Sequence, residues 1–194
     1  MENRRIAVLL SGRGSNFVAI HEAIERGDLE AEICCVISNR ADAVGLERAR
    51  EFGLDAVCLP SRGMGREEYD RLLGRTLEPF RPALVCLAGF MRIVTPVLLD
   101  AYPGRIMNIH PSLLPSFPGL HAQRQALEYG VKISGCTVHL ADEGVDSGPI
   151  LMQRAVEVED GDTEETLSAR ILAEEHRLYW RAIALMFDRL ASAT

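Results

Sequence analysis

The 194-residue chain is long enough to bury a full core as one large domain or as two tightly joined halves. Its 47% hydrophobic and 25% charged residues suit an ordinary globular protein, and a net charge of −7 argues against a general nucleic-acid surface, which needs a basic patch. The first apolar run, Ile6-Ala7-Val8-Leu9-Leu10, is too short for a signal segment or a membrane span, so a cytoplasmic protein with neither a membrane nor a nucleic-acid partner is expected.

Residues 5–10 read as a strand that runs into the Gly-rich turn Ser11-Gly12-Arg13-Gly14-Ser15-Asn16 and a helix over 16–26. A strand over 33–38, a helix over 43–52 closed by Gly53, and a strand over 56–59 follow. The loop 60–65 leads into a helix over 66–77, then come a strand over 84–88, a short helix over 96–102 and a strand over 106–109. Strands apolar on both faces, alternating with helices, indicate an α/β fold with a mostly parallel sheet covered on both sides. The stretch 107–122 reads MNIHPSLLPSFPGLHA, and its prolines at 111, 115 and 118 exclude both a continuous helix and a central strand.

Two further strand-like segments, 135–140 and 150–158, have no convincing helix between them, which suggests antiparallel pairing. Asp162-x-x-Glu165 offers a capping box for a long terminal helix to about residue 190. Leu167, Ile171, Leu178, Ile183, Met186 and Leu190 keep helical spacing on a core-facing stripe. No linker separates the halves, about 1–105 and 106–194, so a single domain is expected. Cysteines at 34, 35, 58, 86 and 136 lie in or beside apolar runs without C-x-x-C spacing, and read as buried thiols.

In an open parallel sheet, ligands bind outside the carboxyl ends of the strands. Three features land there: the Gly-rich turn, Gly89-Phe90-Met91-Arg92, and Asn108 with His110. Gly12 and Gly14 let backbone approach an anion at a helix start, and Arg13, Ser15 and Asn16 favour a phosphate over a mere tight turn. Phe17 occupies the third glycine position of a dinucleotide fingerprint, and Ser38-Asn39-Arg40 lacks the acidic residue for an adenosine ribose. One phosphate monoester therefore fits better than a dinucleotide.

Asn108 and His110, one residue apart on a strand, point to the same side. The amide can donate to a developing oxyanion, and the imidazole can act as acid, base or charge stabiliser near neutral pH. The loop 141–149 brings Asp146, which can reach His110; a solvated turn is the plain alternative for its acidic run. His110, His121, His139 and His176 lack metal-ligand spacing, so no metal is expected. His139, in a strand pattern, and His176, on the last helix, read as packing or surface residues.

The motifs VLLSGRGSNF, SNRADAVGLERA, LAGFMRIV, NIHPSLLPSFPGLHA and DEGVDSGPI, in that order, resemble the phosphoribosylglycinamide formyltransferase family, the folate-dependent glycinamide ribonucleotide transformylases. The resemblance covers nearly the whole chain. It implies a Rossmann-like formyltransferase fold and transfer of a formyl group from 10-formyltetrahydrofolate, as co-substrate, to the amine of glycinamide ribonucleotide. It also implies that Gly14, Ser15 and Asn16 hold the substrate phosphate, that Arg66 adds positive charge, and that Glu175 accepts from ribose hydroxyls. Met91, Arg92, Ile93 and Val94 would line the folate pocket. The loop carrying Val138, Leu140, Ala141, Asp142, Glu143, Val145 and Asp146 would enclose the pterin, and Asn108, which would also touch the folate, His110 and Asp146 match the catalytic trio.

On this reading a neutral amine attacks the formyl carbon, and Asn108 and protonated His110 steady the oxyanion while Asp146 assists. A 10-formyltetrahydrofolate hydrolase and a non-catalytic phosphate or nucleotide binder are the rival readings. The tRNA formyltransferases share the Asn-x-His and Asp logic but carry an added RNA-binding domain. The oligomeric state is left open, a homodimer included.

Overall fold

The first strand, β1 (Arg5–Leu10), is buried over five consecutive residues, so both of its faces must be covered. In the computed structural model, which describes residues 3–192, two helical layers cover them. The remaining strands are β2 (Glu32–Ser38), β3 (Ala56–Cys58), β4 (Leu84–Leu87), β5 (Ile106–His110), β6 (Ile133–Leu140) and β7 (Ile150–Glu157). The helices are α1 (Ser15–Glu25), α2 (Val44–Glu51), α3 (Arg66–Leu77), α4 (Pro96–Ala101), α5 (Ala122–Tyr129) and α6 (Glu164–Ser192). Ile6, Val8 and Leu10 pack with Phe17 and Ile20 of α1, Leu46 of α2, and Tyr179 and Ile183 of α6. Ala7 and Leu9 pack on the opposite side with Tyr69, Leu73 and Leu77 of α3 and Leu98 of α4. Burying each such large apolar side chain contributes about 1.5–3 kcal/mol.

The sheet runs β3-β2-β1-β4-β5-β6-β7. β1 to β5 are parallel; β6 is antiparallel to β5, and β7 to β6. The chain moves outward from β1 through β2 to β3, then returns to place β4 on the other side of β1. That reversal opens a crevice at the carboxyl ends of β1 and β4. The mostly parallel sheet with antiparallel late strands and a long last helix agrees with the sequence-based expectation.

Three local features differ from it. α5 was not anticipated: only Ala122 and Ala126 are buried along it, too small a stripe to stand out after three prolines. A 3₁₀ turn at Glu78–Phe80 extends α3 beyond its expected end. The capping box of α6 is not Asp162 with Glu165. Thr163 N–H donates to Thr166 Oγ1 (2.9 Å), Thr166 N–H donates back to Thr163 Oγ1 (3.3 Å), and Asp162 instead pairs with Arg170. The five cysteines are free thiols, four buried and Cys58 half-buried. Among the described residues no helix is long and apolar enough to cross a membrane.

The proline-rich segment after β5 is pinned by the late strands. Thr137 Oγ1 donates to Ser112 O (2.7 Å) and accepts from Leu114 N–H (3.0 Å), while Gln153 Nε2 donates to Leu114 O (2.9 Å). Gly135 lets these layers meet: a Cβ there would lie 1.9 Å from Arg154 O and 2.9 Å from Leu113 Cδ2. Because backbone cannot yield as a side-chain tip can, Gly135→Ala is expected to destabilise the protein by about 1–3 kcal/mol or more. Urea unfolding checks this; an unchanged midpoint would show that the close approach carries no cost.

Candidate active site

One cleft of about 950 Å³ opens along the carboxyl ends of β1, β4 and β5. Its first wall begins at Gly14, whose left-handed backbone (φ 72°) ends the turn and starts α1 without any side-chain cap. A Cβ on Gly14 would also lie 3.0 Å from Gly45 Cα, so conformation and packing both call for glycine. The uncapped N–H groups of the first turn, with the helix dipole behind them, make a ready anion site. Arg13, Ser15, Asn16, Arg40 and Arg66 line the same cleft. Arg40, which the motif reading did not select, makes a two-point contact with Asp42 at 3.0 and 2.7 Å.

The Asn16 side chain faces α6. It is buried, and Nδ2 donates to Glu175 Oε2 at 2.8 Å. Glu175 is itself buried on α6, and desolvation pushes its carboxyl up to about 7 despite the Asn16 hydrogen bond.

The second wall joins β5 to β6. Antiparallel register sets Asn108 opposite His139 and His110 opposite Thr137. Asn108 Nδ2 donates to Asp146 Oδ1 (3.2 Å) and lies 3.1 Å from His139 Nε2. His110 Nδ1 is 3.2 Å from Asp146 Oδ2, and His110 Nε2 is 2.8 Å from Phe117 O. The His110 ring therefore bridges two acceptors, an arrangement satisfied on both sides when each nitrogen carries hydrogen. Gly119 N–H donates to Asp146 Oδ2 at 2.8 Å. Burial is the largest influence on the Asp146 carboxyl and pushes it up. Hydrogen bonds from His139 and Gly119 and the charges of His110 and His139 together outweigh it and hold the group below its ordinary value.

The third wall is the segment after β4. Met91, Arg92, Ile93 and Val94 all line the cleft, and the Arg92 guanidinium lies 4.4 Å from the Tyr69 ring centroid, a cation–π distance. A chain of side chains holds this segment in place. Met91 N–H donates to Ser11 Oγ (2.8 Å), Ser11 Oγ donates to Asn39 Oδ1 (2.5 Å), and Asn39 Nδ2 donates to Ser61 Oγ (3.1 Å).

Of the late-loop residues expected around a pterin, Ala141, Asp142, Val145 and Asp146 line the cleft. Val138, Leu140 and Glu143 do not: Val138 is fully buried in the core, Leu140 packs against that core, and Glu143 is exposed. His139 joins this cluster although its sequence pattern reads as packing or surface. It is buried, its Nδ1 donates to Leu140 O at 2.8 Å, and its Nε2 lies 3.5 Å from Asp146 Oδ1. The available signal was its register against Asn108, which only antiparallel pairing reveals. His121 sits at the cleft in a left-handed conformation (φ 59°) and precedes α5 without a side-chain cap hydrogen bond. His176 lies apart, in a groove beside α1. Among the described residues no group of three or more His, Cys, Asp and Glu is placed to hold a metal ion.

The family described as Formyl transferase matches residues 4–183. Phosphoribosylglycinamide formyltransferase of Escherichia coli strain K12 is 44% identical over 184 residues, covering 94% of this chain and 87% of that protein. The trifunctional purine biosynthetic protein adenosine-3 of Drosophila pseudoobscura is 50% identical over 186 residues, which cover 94% of this chain but only 14% of that much longer protein. The crystal structure of glycinamide ribonucleotide transformylase 1 from Symbiobacterium toebii superposes with a TM-score of 0.92 at 54% identity, covering 95% of this chain and 87% of that one.

Glu175 yields a stability prediction independent of any ligand. A carboxyl raised from 4.5 to about 7 by folding binds its proton more tightly in the folded state. Its favourable contribution is full below pH 4.5 and is lost as pH rises through 7. The loss is of order 3 kcal/mol. Glu175→Gln, which keeps an acceptor for Asn16, should raise the thermal midpoint by several degrees at pH 8 and hardly at all at pH 4.5. Equal effects at both pH values would contradict it.

Proposed function

The chain belongs to the formyl transferase family, and from that premise we propose that it transfers the formyl group of 10-formyltetrahydrofolate to the amine of glycinamide ribonucleotide. The products are formylglycinamide ribonucleotide and tetrahydrofolate, in a step of purine biosynthesis. The observation that carries the reading is the single cleft. It joins an uncapped helix N-terminus flanked by Arg13 and Arg66 to the Asn108–His110–Asp146 cluster and to the wall of Arg92, Ile93 and Val94. A phosphate, a reacting formyl carbon and a flat heterocycle have complementary partners in that order of chemistry.

The substrate phosphate rests on the first turn of α1, with Arg13 and Arg66 opposing the negative field of the rest of the chain. Glu175 accepts from the ribose hydroxyls. Met91 to Val94 and the 141–146 loop enclose the folate. The amine attacks the formyl carbon, and the carbonyl oxygen takes up negative charge as the tetrahedral centre forms. An oxyanion is a stronger acceptor than a neutral carbonyl, so it competes with Phe117 O for His110 and with the protein acceptors around Asn108 for an amide hydrogen. As the intermediate collapses, the C–N bond to the folate nitrogen breaks, and the proton from the attacking nitrogen passes to that leaving nitrogen. The low proton affinity of Asp146 suits it to orient a relaying water rather than to keep the proton.

Folate absorbance followed with and without glycinamide ribonucleotide tests the proposal. Amine-dependent deformylation is expected. Equal deformylation without the amine would make the protein a hydrolase, and no turnover under any condition would make it a binding protein. His110→Ala and Asp146→Asn should each lower kcat by roughly 10²–10⁴. Affinity for the ribonucleotide, measured by calorimetry, should change far less; near-normal turnover in both variants would remove these residues from the mechanism.

A further inference from the structure

We infer that Asn16 is a positioning residue for Glu175 rather than a side-chain ligand of the phosphate, and that the pair ties ribonucleotide binding to the proton on Glu175. The inference rests on the ribonucleotide reading above and adds to it a device for controlling affinity.

Asn16 belongs by sequence to the anion-binding turn, but its side chain faces across to α6. Residues 16 and 175 are 159 positions apart, and their contact is the hydrogen bond from Nδ2 to Oε2 at 2.8 Å. Both are more than nine-tenths buried, at 8% and 6% exposure, yet both line the cleft. Asn16 Oδ1 is buried without a partner, so the Glu175 contact is what orients the amide. What Asn16 offers an anion is its backbone N–H at the helix start. With one Glu175 oxygen held by Asn16, the other is left to accept from ligand hydroxyls. A carboxylate oxygen carries two lone pairs, so it can accept from both donors of a vicinal diol.

A carboxyl group accepts from two hydroxyls well only when ionised, so the proton on Glu175 opposes binding. Burial has already raised this group to about 7, and the Asn16 donor is the one interaction drawing it down. Two titratable groups packed near it are silent in this range. Burial lifts the Cys136 thiol on β6 to about 12 and the Tyr179 hydroxyl, one turn along α6, far above its ordinary value. The first turn of α1, Ser15-Asn16-Phe17-Val18, presents no titratable side chain. Glu174 and His176 flank it along α6, burial holding the His176 imidazole below its ordinary value, and Arg13, Arg66 and His110 face the shared cleft.

The experiment is calorimetric binding of glycinamide ribonucleotide alone, without folate, to the full chain between pH 6 and 8.5. The phosphate and amine of the ligand titrate in this range too, so Glu175→Gln, which keeps every other group of ligand and protein, supplies the baseline. Relative to it, wild-type affinity should fall up to tenfold per pH unit below about 7. Asn16→Ala should begin that fall about one pH unit higher, because it removes a donor to the charged form. Asn16→Asp, nearly isosteric, should shift it further by placing a second carboxylate beside the first. If Asn16→Ala and Asn16→Asp weaken binding equally at every pH, with the wild-type midpoint kept, Asn16 only packs and the inference is overturned. If wild-type protein does not bind the ribonucleotide at all, it is the proposed substrate that fails.

Discussion

The carboxylate of Asp146 is the constraint around which the cleft is assembled. Its two oxygens meet the Gly119 amide, Asn108 Nδ2, His110 Nδ1 and His139 Nε2 within 2.8–3.5 Å. Those groups come from β5, from β6 and from the proline-rich segment between them, so one side chain from a loop ties three pieces of chain together. Asp146 does this from a left-handed backbone (φ 53°), a conformation costing of order 1–3 kcal/mol for a residue with a Cβ. The strain persists because each hydrogen bond to the carboxylate fixes where its backbone must lie.

The sheet determines why those pieces meet. Reversal of strand order at β1 and β4 opens the crevice, and the antiparallel return of β6 carries His139 back alongside Asn108. α6 is fastened over the same edge by Tyr179, whose hydroxyl lies 3.0 Å from Leu87 O and 3.1 Å from Met107 O. One hydroxyl hydrogen shared between carbonyls of the neighbouring parallel strands β4 and β5 sets the height of the helix. Glu175, one turn earlier, is thereby delivered to the cleft beside the start of α1.

The parallel half of the fold was legible because its strands are apolar on both faces, a pattern that few other arrangements produce. The antiparallel half was legible as strands but not as contacts. A one-residue change of register exchanges the two faces of a strand, and the residues of 138–140 illustrate it: Val138 lies in the core rather than the cleft, while His139, whose pattern reads as packing or surface, touches Asp146. Asn108, His110 and Asp146 could be named from residue type and spacing, since strand alternation and a short loop dictate their approach. The Asn16–Glu175 bond could not, because no local pattern records a contact between α1 and the middle of α6. α5 was hidden for a related reason: its buried face consists of two alanines, which give periodicity no amplitude.

Charge is distributed along the cleft in a way the net value of −7 conceals. Arg13, Arg40, Arg66 and Arg92 line it, and among the described residues neither Arg13 nor Arg66 is drawn into an ion pair that would neutralise it. Around His110 the arrangement is reversed: residues 107–122 carry no Asp, Glu, Lys or Arg, so no fixed charge of that segment competes with Asp146 for the imidazole. Prolines 111, 115 and 118 complete the effect by limiting the paths open to the backbone that presents Phe117 O and Gly119 N–H. Neutral composition and stiff backbone thus serve the same end. The polarity felt by His110 is set by one carboxylate and one carbonyl whose positions the fold controls, rather than by mobile surface charges.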